Sequence, residues 1–239
     1  MSVFTFHLVK TSVQSTLKAL CIPLKPGSVP GLIHAECMVA MTLGSQIFSP
    51  SRILMRQLVV FAQWENESAI DTFLEKDNFG KTLAKGWHIR LAFLRQWGSI
   101  DEFIIPKVNN ESDDPDAPVV AVTLARMKLL QVPRFIHWGR PVEKLVRDHP
   151  GVTLALAATR LPRTVSTFSI WRSQREMLNM VHGHSRVPDP KRHSEAMRER
   201  ERKDFHIQFT TLRFKPIAEY GEWDGRRNYI PSPTSKQLP

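Results

Sequence analysis

Nine histidines in a chain of 239 residues invite a metal or haem reading. The two cysteines do not extend it. Cys21 and Cys37 fit no zinc-ligand spacing and are expected to be small buried thiols. His137 sits among aromatics in Arg134-Phe135-Ile136-His137-Trp138-Gly139-Arg140, where it either lines a pocket or packs on Trp138. His182 and His184 flank Gly183. A His-x-His pair can hold a metal, and a helix C-terminus that favours imidazolium explains the pair equally well. His88 and His206 occupy matching places in two similar segments, as do Arg95 and Arg213, and Trp64 and Trp171. Each pair is read first as a fold requirement. An arginine at a strand end also has the planar fork that suits a carboxylate, a haem propionate included.

The familiar nucleotide signatures are missing. The 11 glycines do not cluster into a P-loop or a dinucleotide fingerprint, and there is no nucleophile elbow. Hydrophobic residues at 42% give enough apolar surface for a packed core. The longest apolar runs, such as Leu58–Ala62, are strand-sized, too short to span a bilayer as a helix. Met1–His7 reads as a first strand and not as a signal peptide, so a cytoplasmic location is expected. The net charge of +10 points to anionic partners. Much of that excess lies in Lys191–Lys203, where Glu195, Glu199 and Glu201 interrupt the cations. This is the pattern of a solvated helix face, with peripheral contact to anionic lipid as a second reading. Nucleic acid binding is not expected, because no finger, helix-turn-helix or RNP-like pattern accompanies the charge.

An internal repeat supplies the elements that must position these residues. Arg56–Trp64 aligns with Arg163–Trp171 through shared Arg, Phe and Trp. Both are rich in β-branched and aromatic residues, which marks strands. A capped helix start follows each Trp, at Asn66 and at Ser173. The stripe Ile70, Phe73, Leu74 then corresponds to Met177, Met180, Val181. Further on, Trp87–Arg95 aligns with Phe205–Arg213 through His, Ile, Leu and Arg. The longer spacing in the second copy implies an insertion, and Gly183–Lys191, with Pro188 and Pro190, is its natural place. Val3–Lys10 resembles Val119–Arg126 as a first strand, and Gly31–Thr42 and Gly151–Thr159 read as second strands.

Each copy is thus β-α-β-β-α-β, the ferredoxin-like split unit. The fold class is α+β: tandem ferredoxin-like repeats over 1–107 and 119–222, an acidic linker at 108–118 and an irregular tail at 223–239. A ferredoxin-like sheet has one face without helices, which must be covered. Two copies can cover each other and form an intramolecular dimeric α+β barrel. The alternative is two independent domains in a row.

The second copy resembles the spheroidene monooxygenase family of carotenoid biosynthesis. The likeness rests on Thr167–Ser173, on His193-Ser194-Glu195-Ala196 and on Asp204–Phe214, where Asp204-Phe205 stands in place of the family's Trp-Phe. It implies an oxygenase-type dimeric α+β barrel protein that holds haem and acts on a long apolar polyene. His193 is the helix histidine that also matches the family motif, and it becomes the candidate iron ligand. His137 and Trp171 are further candidate cofactor contacts, and Arg213 and His206 candidate catalytic residues. The expected function is haem-dependent oxygenation of a hydrophobic substrate, with a non-catalytic ligand-binding barrel as the alternative and homo-oligomerisation left open.

Overall fold

The computed structural model describes residues 2–46, 49, 52–103, 105 and 114–232. Most of the expected acidic linker, up to residue 113, and the tail beyond residue 232 lie outside these residues. The first copy runs β1 (Val3–Lys10), α1 (Val13–Cys21), β2 (Leu32–Met41), β3 (Ile53–Trp64), α2 (Glu67–Lys76), α3 (Asn78–Leu83) and β4 (Trp87–Ser99). The second runs β5 (Val119–Met127), a 3-10 turn (Leu129–Gln131), α4 (Val132–Arg147), β6 (Val152–Arg160), β7 (Thr164–Trp171), α5 (Gln174–His182), α6 (Arg192–Arg202) and β8 (His206–Tyr220).

The eight strands close into one barrel in the order β1-β3-β2-β6-β7-β5-β8-β4. Two seams join the copies. The β4–β8 seam runs from His88↔Tyr220 to Ser99↔Phe209. The β2–β6 seam has only Val39↔Thr159, Ala40↔Ala158 and Met41↔Ala157. Arg95 is in register with its own repeat partner Arg213, so the pseudo-twofold relating the copies passes through that pair. Gly98 permits the seam to close there. Its φ is +70°, and a Cβ would lie 2.2 Å from the Phe209 carbonyl oxygen.

Alternation decides which side chains fill the barrel. Phe4, Phe6, Phe61, Phe168 and Phe214 point inward and are buried in one cluster. The Phe6 and Phe168 rings, one from each copy, stack at 3.9 Å. Ile100 and Phe103 close one end of that core, and Trp223 and Tyr229 join it at the other. The Tyr229 hydroxyl donates to the Trp223 carbonyl at 2.8 Å. The described part of the tail is therefore an irregular arm packed across a barrel mouth. The outward strand faces carry Trp64 and Trp171, each covered by the helices of its own copy.

Local chemistry explains the helix ends. The Asn66 and Ser173 side chains accept from the Ala69 and Glu176 amides, as N-caps do. The α5 helix stops at Gly183, φ +76°. There the Gly183 amide bonds the Met180 carbonyl and the His184 amide bonds the Asn179 carbonyl, so His182 and His184 belong to a helix-terminating turn. The α6 helix has no buried residue, and its charges pair along its length, Arg202 with Glu199 at 2.7 Å among them. One expectation needs correction: Cys37 is buried, but Cys21, in the last turn of α1, is exposed.

Candidate functional site

Two spaces flank α4. One is a cavity of about 210 Å³ between α4 and the outer faces of β5 to β8, reached by Met41, Arg52 and Ile53 of the first copy. The other is an open groove of about 740 Å³ between α4 and the segment 187–192. Ile136 lines both.

The cavity is apolar along Met127, Val132, Phe135 and Phe209, with His206 on its wall. His206 sits at the start of β8, where Phe135, Phe205 and Phe209 surround its ring. Its Nδ1 lies 2.9 Å from Asp204 Oδ1, and the same oxygen accepts the His206 amide at 2.9 Å. A carboxylate only accepts, so Nδ1 carries the proton and Nε2 keeps its lone pair. Nε2 is buried without a partner. Burial lowers the His206 pKa below 6.5, although the Asp204 carboxylate opposes the shift. Burial works against the Asp204 charge, yet its bonds to the His206 amide and imidazole hold the carboxyl below its ordinary value. The result is an oriented, neutral imidazole on the cavity wall, with its unpaired nitrogen enclosed by the surrounding side chains. At the opposite wall, Arg52 pairs with Glu143 at 3.6 Å, and Glu143 accepts the Gly44 amide at 2.8 Å. This contact ties α4 to the first copy.

Asp204→Asn should lower the His206 pKa further, since it removes the charge that stabilises imidazolium. It should also release the tautomer, which nitrogen-15 NMR of the ring reads directly. A ring that titrates near 6.5 in the parent chain would contradict the buried geometry.

The groove has a different character. Pro133, Ile136, Leu145 and Val187 give it an apolar floor, and Arg140, Lys144 and Arg192 line it with positive charge beside Asp148 and Asp189. His137 lies on its wall, exposed, with its ring against the edge of Trp138 at 5.7 Å. His193 is next in chain to Arg192 but lines neither space. Nor does it face solvent as a plain helix-surface residue would: its Nδ1 is 3.1 Å from the Val181 carbonyl. A carbonyl accepts, so Nε2 again holds the lone pair. Burial lowers the His193 pKa, partly offset by that carbonyl.

The remaining candidates lie elsewhere. Trp171 faces the helices, donating from Nε1 to Ser169 Oγ at 2.8 Å and packing on His149 at 5.0 Å. Arg213 also faces outward, bonded to Gln174 Oε1 at 3.0 Å and stacked on Trp97 at 4.6 Å. Arg95 stacks on the same Trp97 at 4.9 Å. The structure thus brings His206 to the cavity and His137 to the groove, and leaves Trp171 and Arg213 outside both. Asp204, which orients the His206 ring, is not among the candidate residues singled out from the sequence. Its signal was present as an acid two positions before a strand-start histidine, where the family has an aromatic pair.

Strand order, closure and the two spaces around α4 define the class: a tandem ferredoxin-like α+β barrel in a single chain. No family model matches the chain. Among curated proteins it is similar to spheroidene monooxygenase of Rubrivivax gelatinosus, 26% identical over 171 residues. That match covers 70% of this chain and 63% of the relative, so the chain spans just under two thirds of that protein's length. Among solved structures, it is similar to a ferredoxin-fold protein from Listeria monocytogenes related to antibiotic biosynthesis monooxygenases. Identity is 13%, coverage 91% of this chain and 97% of that one, and the TM-score 0.31. A heme-degrading enzyme of the same organism is 11% identical, with 87% and 98% covered and a TM-score of 0.28. At such scores the fold rests on the chain's own strand pairing. Among the described residues, no helix is long and apolar enough to cross a membrane.

Proposed function

We propose that the chain is a monooxygenase-like oxidoreductase acting on a hydrophobic small molecule, with its working side around α4 of the second copy. The observation that carries this reading is His206: an Asp204-oriented, neutral imidazole on the wall of an apolar cavity, with a buried Nε2 that has no hydrogen-bond partner. The similarity to spheroidene monooxygenase supports the reaction class and makes a polyene the first substrate to try. A purely passive ligand carrier has no need of an oriented imidazole.

Haem is the cofactor this reading implies. The small cavity does not fit it, because about 210 Å³ is below even the roughly 300–1,000 Å³ usual for ligand sites. The groove does fit. Its size, apolar floor and cationic lining suit a flat, dianionic macrocycle. Arg140 and Lys144 would hold the propionates and His137 the iron, since Arg192 is paired with Asp189 and Glu195 and His193 lines neither space. His193 has the support usual in a metal-binding histidine, an Nδ1–H given to a backbone carbonyl, but would reach a haem only if α6 moved toward the groove. Haem, when bound, supplies the oxygen chemistry. The chain's own part is to exclude water with the α4 face and to seat the apolar substrate there. His206 lies in the separate cavity, which shares Ile136 with the groove, and would accept a proton only from a group small enough to enter it.

Absorbance spectra of protein supplied with haem test the cofactor. A Soret band that His193→Ala abolishes and His137→Ala retains assigns the iron ligand to His193, and the converse assigns it to His137. No band in the parent chain sinks the haem reading. Oxygen-dependent consumption of a polyene that persists unchanged in His206→Gln removes His206 from the chemistry.

A further inference from the structure

We propose that the chain docks on an anionic lipid bilayer through the end of the second copy at which the His206 cavity opens. Three loops meet there: 128–131 before α4, 161–163 between β6 and β7, and 203–205 before β8. Backbone bonds hold them together, Met127 N–H to the Arg163 carbonyl at 2.8 Å and Lys128 N–H to the Phe205 carbonyl at 2.9 Å.

This tip is apolar where water should favour polarity. Leu130 is 94% exposed and Leu161 72%, with Leu129 and Ile207 also open to solvent. Single exposed leucines are common on protein surfaces, but these sit on adjoining loops. Lys128, Arg163 and Lys203 on the same three loops are exposed as well. The nearby acids are engaged, Asp204 by His206 at 2.9 Å and Arg200 at 3.7 Å, Asp101 by Gln208 at 2.6 Å and Glu102 by Arg126 at 3.3 Å. Protruding aliphatic side chains ringed by cations are the complement of an anionic bilayer. The apolar groups enter the acyl boundary while the cations meet the headgroups. The basic helix α6 is a poorer candidate, since Arg192 pairs with Asp189 and Glu195, and Arg202 with Glu199.

The position of the tip adds a purpose. Leu161 and Pro162 line the cavity as well as the tip. Docking would therefore set the cavity that His206 lines against the bilayer. Docking does not depend on the redox reading, because the face is the same whatever the cavity does to its ligand.

The test is co-sedimentation of the whole chain with phosphatidylcholine vesicles, with and without phosphatidylglycerol. Binding should require the anionic lipid and weaken with salt. Leu129→Glu with Leu130→Glu should weaken it by at least about tenfold, and Lys128→Glu with Arg163→Glu should do the same. Both Leu129 and Leu130 are exposed, so circular dichroism should stay unchanged. Should either double variant misfold, Leu130→Trp gives an independent reading: its fluorescence should be quenched by brominated acyl chains. Equal binding to neutral vesicles, full binding by the folded Leu129/Leu130 variant, or no quenching overturns the proposal. A self-associated species that Leu130→Glu dissociates also overturns it, and gives the face to a second copy of the chain.

Discussion

Glu36→Gln is expected to destabilise the barrel by about 3–5 kcal/mol, the range for breaking one partner out of a buried ion pair. Glu36 lies on β2 with its side chain fully buried. Spacing puts it two residues before the inward Met38, while Arg126 and Arg160 lie two after the inward Leu124 and Ala158. The three therefore share the barrel's inner face. Arg126 bonds Glu36 directly and donates to Thr164 Oγ1 at 2.7 Å. Arg160 pairs with Glu36 Oε2 at 2.9 Å, and His34 Nε2 lies 3.2 Å from Oε1. Burial pushes the Glu36 pKa up, but His34, Arg126 and Arg160 bring it down to about 2. Glutamine keeps the shape and removes the charge, which leaves Arg160 facing no anion from the first copy and Arg126 only the half-exposed Glu102 at 3.3 Å. The loss should appear as a lowered urea midpoint. Converting the group to Glu36→Leu, Arg126→Met and Arg160→Met should restore much of the stability, because well-packed apolar replacements of buried ion networks are often neutral or better. A Glu36→Gln midpoint within error of the parent would mean that water, not protein, solvates this cluster.

That cluster marks the limit of what the sequence makes legible. The strands show themselves by local composition, the helix starts by Asn66 and Ser173, and the copies by Trp64 and Trp171. All of these signals are local or repeat at a fixed spacing. Closure depends instead on two seams and on charges that the repeat does not share. Glu36 belongs to one copy, and Arg126 and Arg160 sit at strand ends of the other. Nothing in their spacing along the chain announces that they meet. The site was half legible for the same reason. His206 stood out as the partner of His88, yet the two have opposite surroundings: an apolar cavity with a carboxylate for one, a stacked ring for the other. Trp171 stood out as a strand-end aromatic, but β7 turns Phe168 and Ile170 inward, so the odd-numbered Trp171 must face the helices. A one-residue parity decides that, and it becomes visible only once the core side of the strand is known.

Acidification should cost the chain stability in two separable ranges, and the upper belongs chiefly to His7 and His88, with His149, His193 and His206 shifted in the same direction. They are register partners on β1 and β4, buried, with rings stacked at 4.9 Å. Neither ring has a hydrogen-bond partner at either nitrogen. His88 also stacks on Tyr220 at 4.8 Å, beside Arg90, which is held by Glu67 and Asp71. Burial and the Arg90 charge lower the His88 pKa from 6.5 to about 4, with Asp71 opposing. Burial, His88 and Arg90 push His7 well below its ordinary value. A histidine that is harder to protonate when folded contributes stability that is complete above the unfolded value of 6.5. Below it the unfolded chain takes up protons that the folded chain refuses, so stability falls between 6.5 and about 4. For His88 alone that drop amounts to about 3 kcal/mol, and His7 adds in the same direction. Glu36 acts lower, because its contribution is complete above 4.5 and is lost as pH falls toward about 2. Urea unfolding at a series of pH values should therefore show a fall beginning near 6.5 and a second component below 4.5. His88→Phe keeps an aromatic ring against Tyr220 and removes the titration. It should make the upper leg shallower, with His7 and the other buried histidines still contributing, and leave the lower one in place. An upper leg of undiminished slope in that variant would assign the loss to some other group.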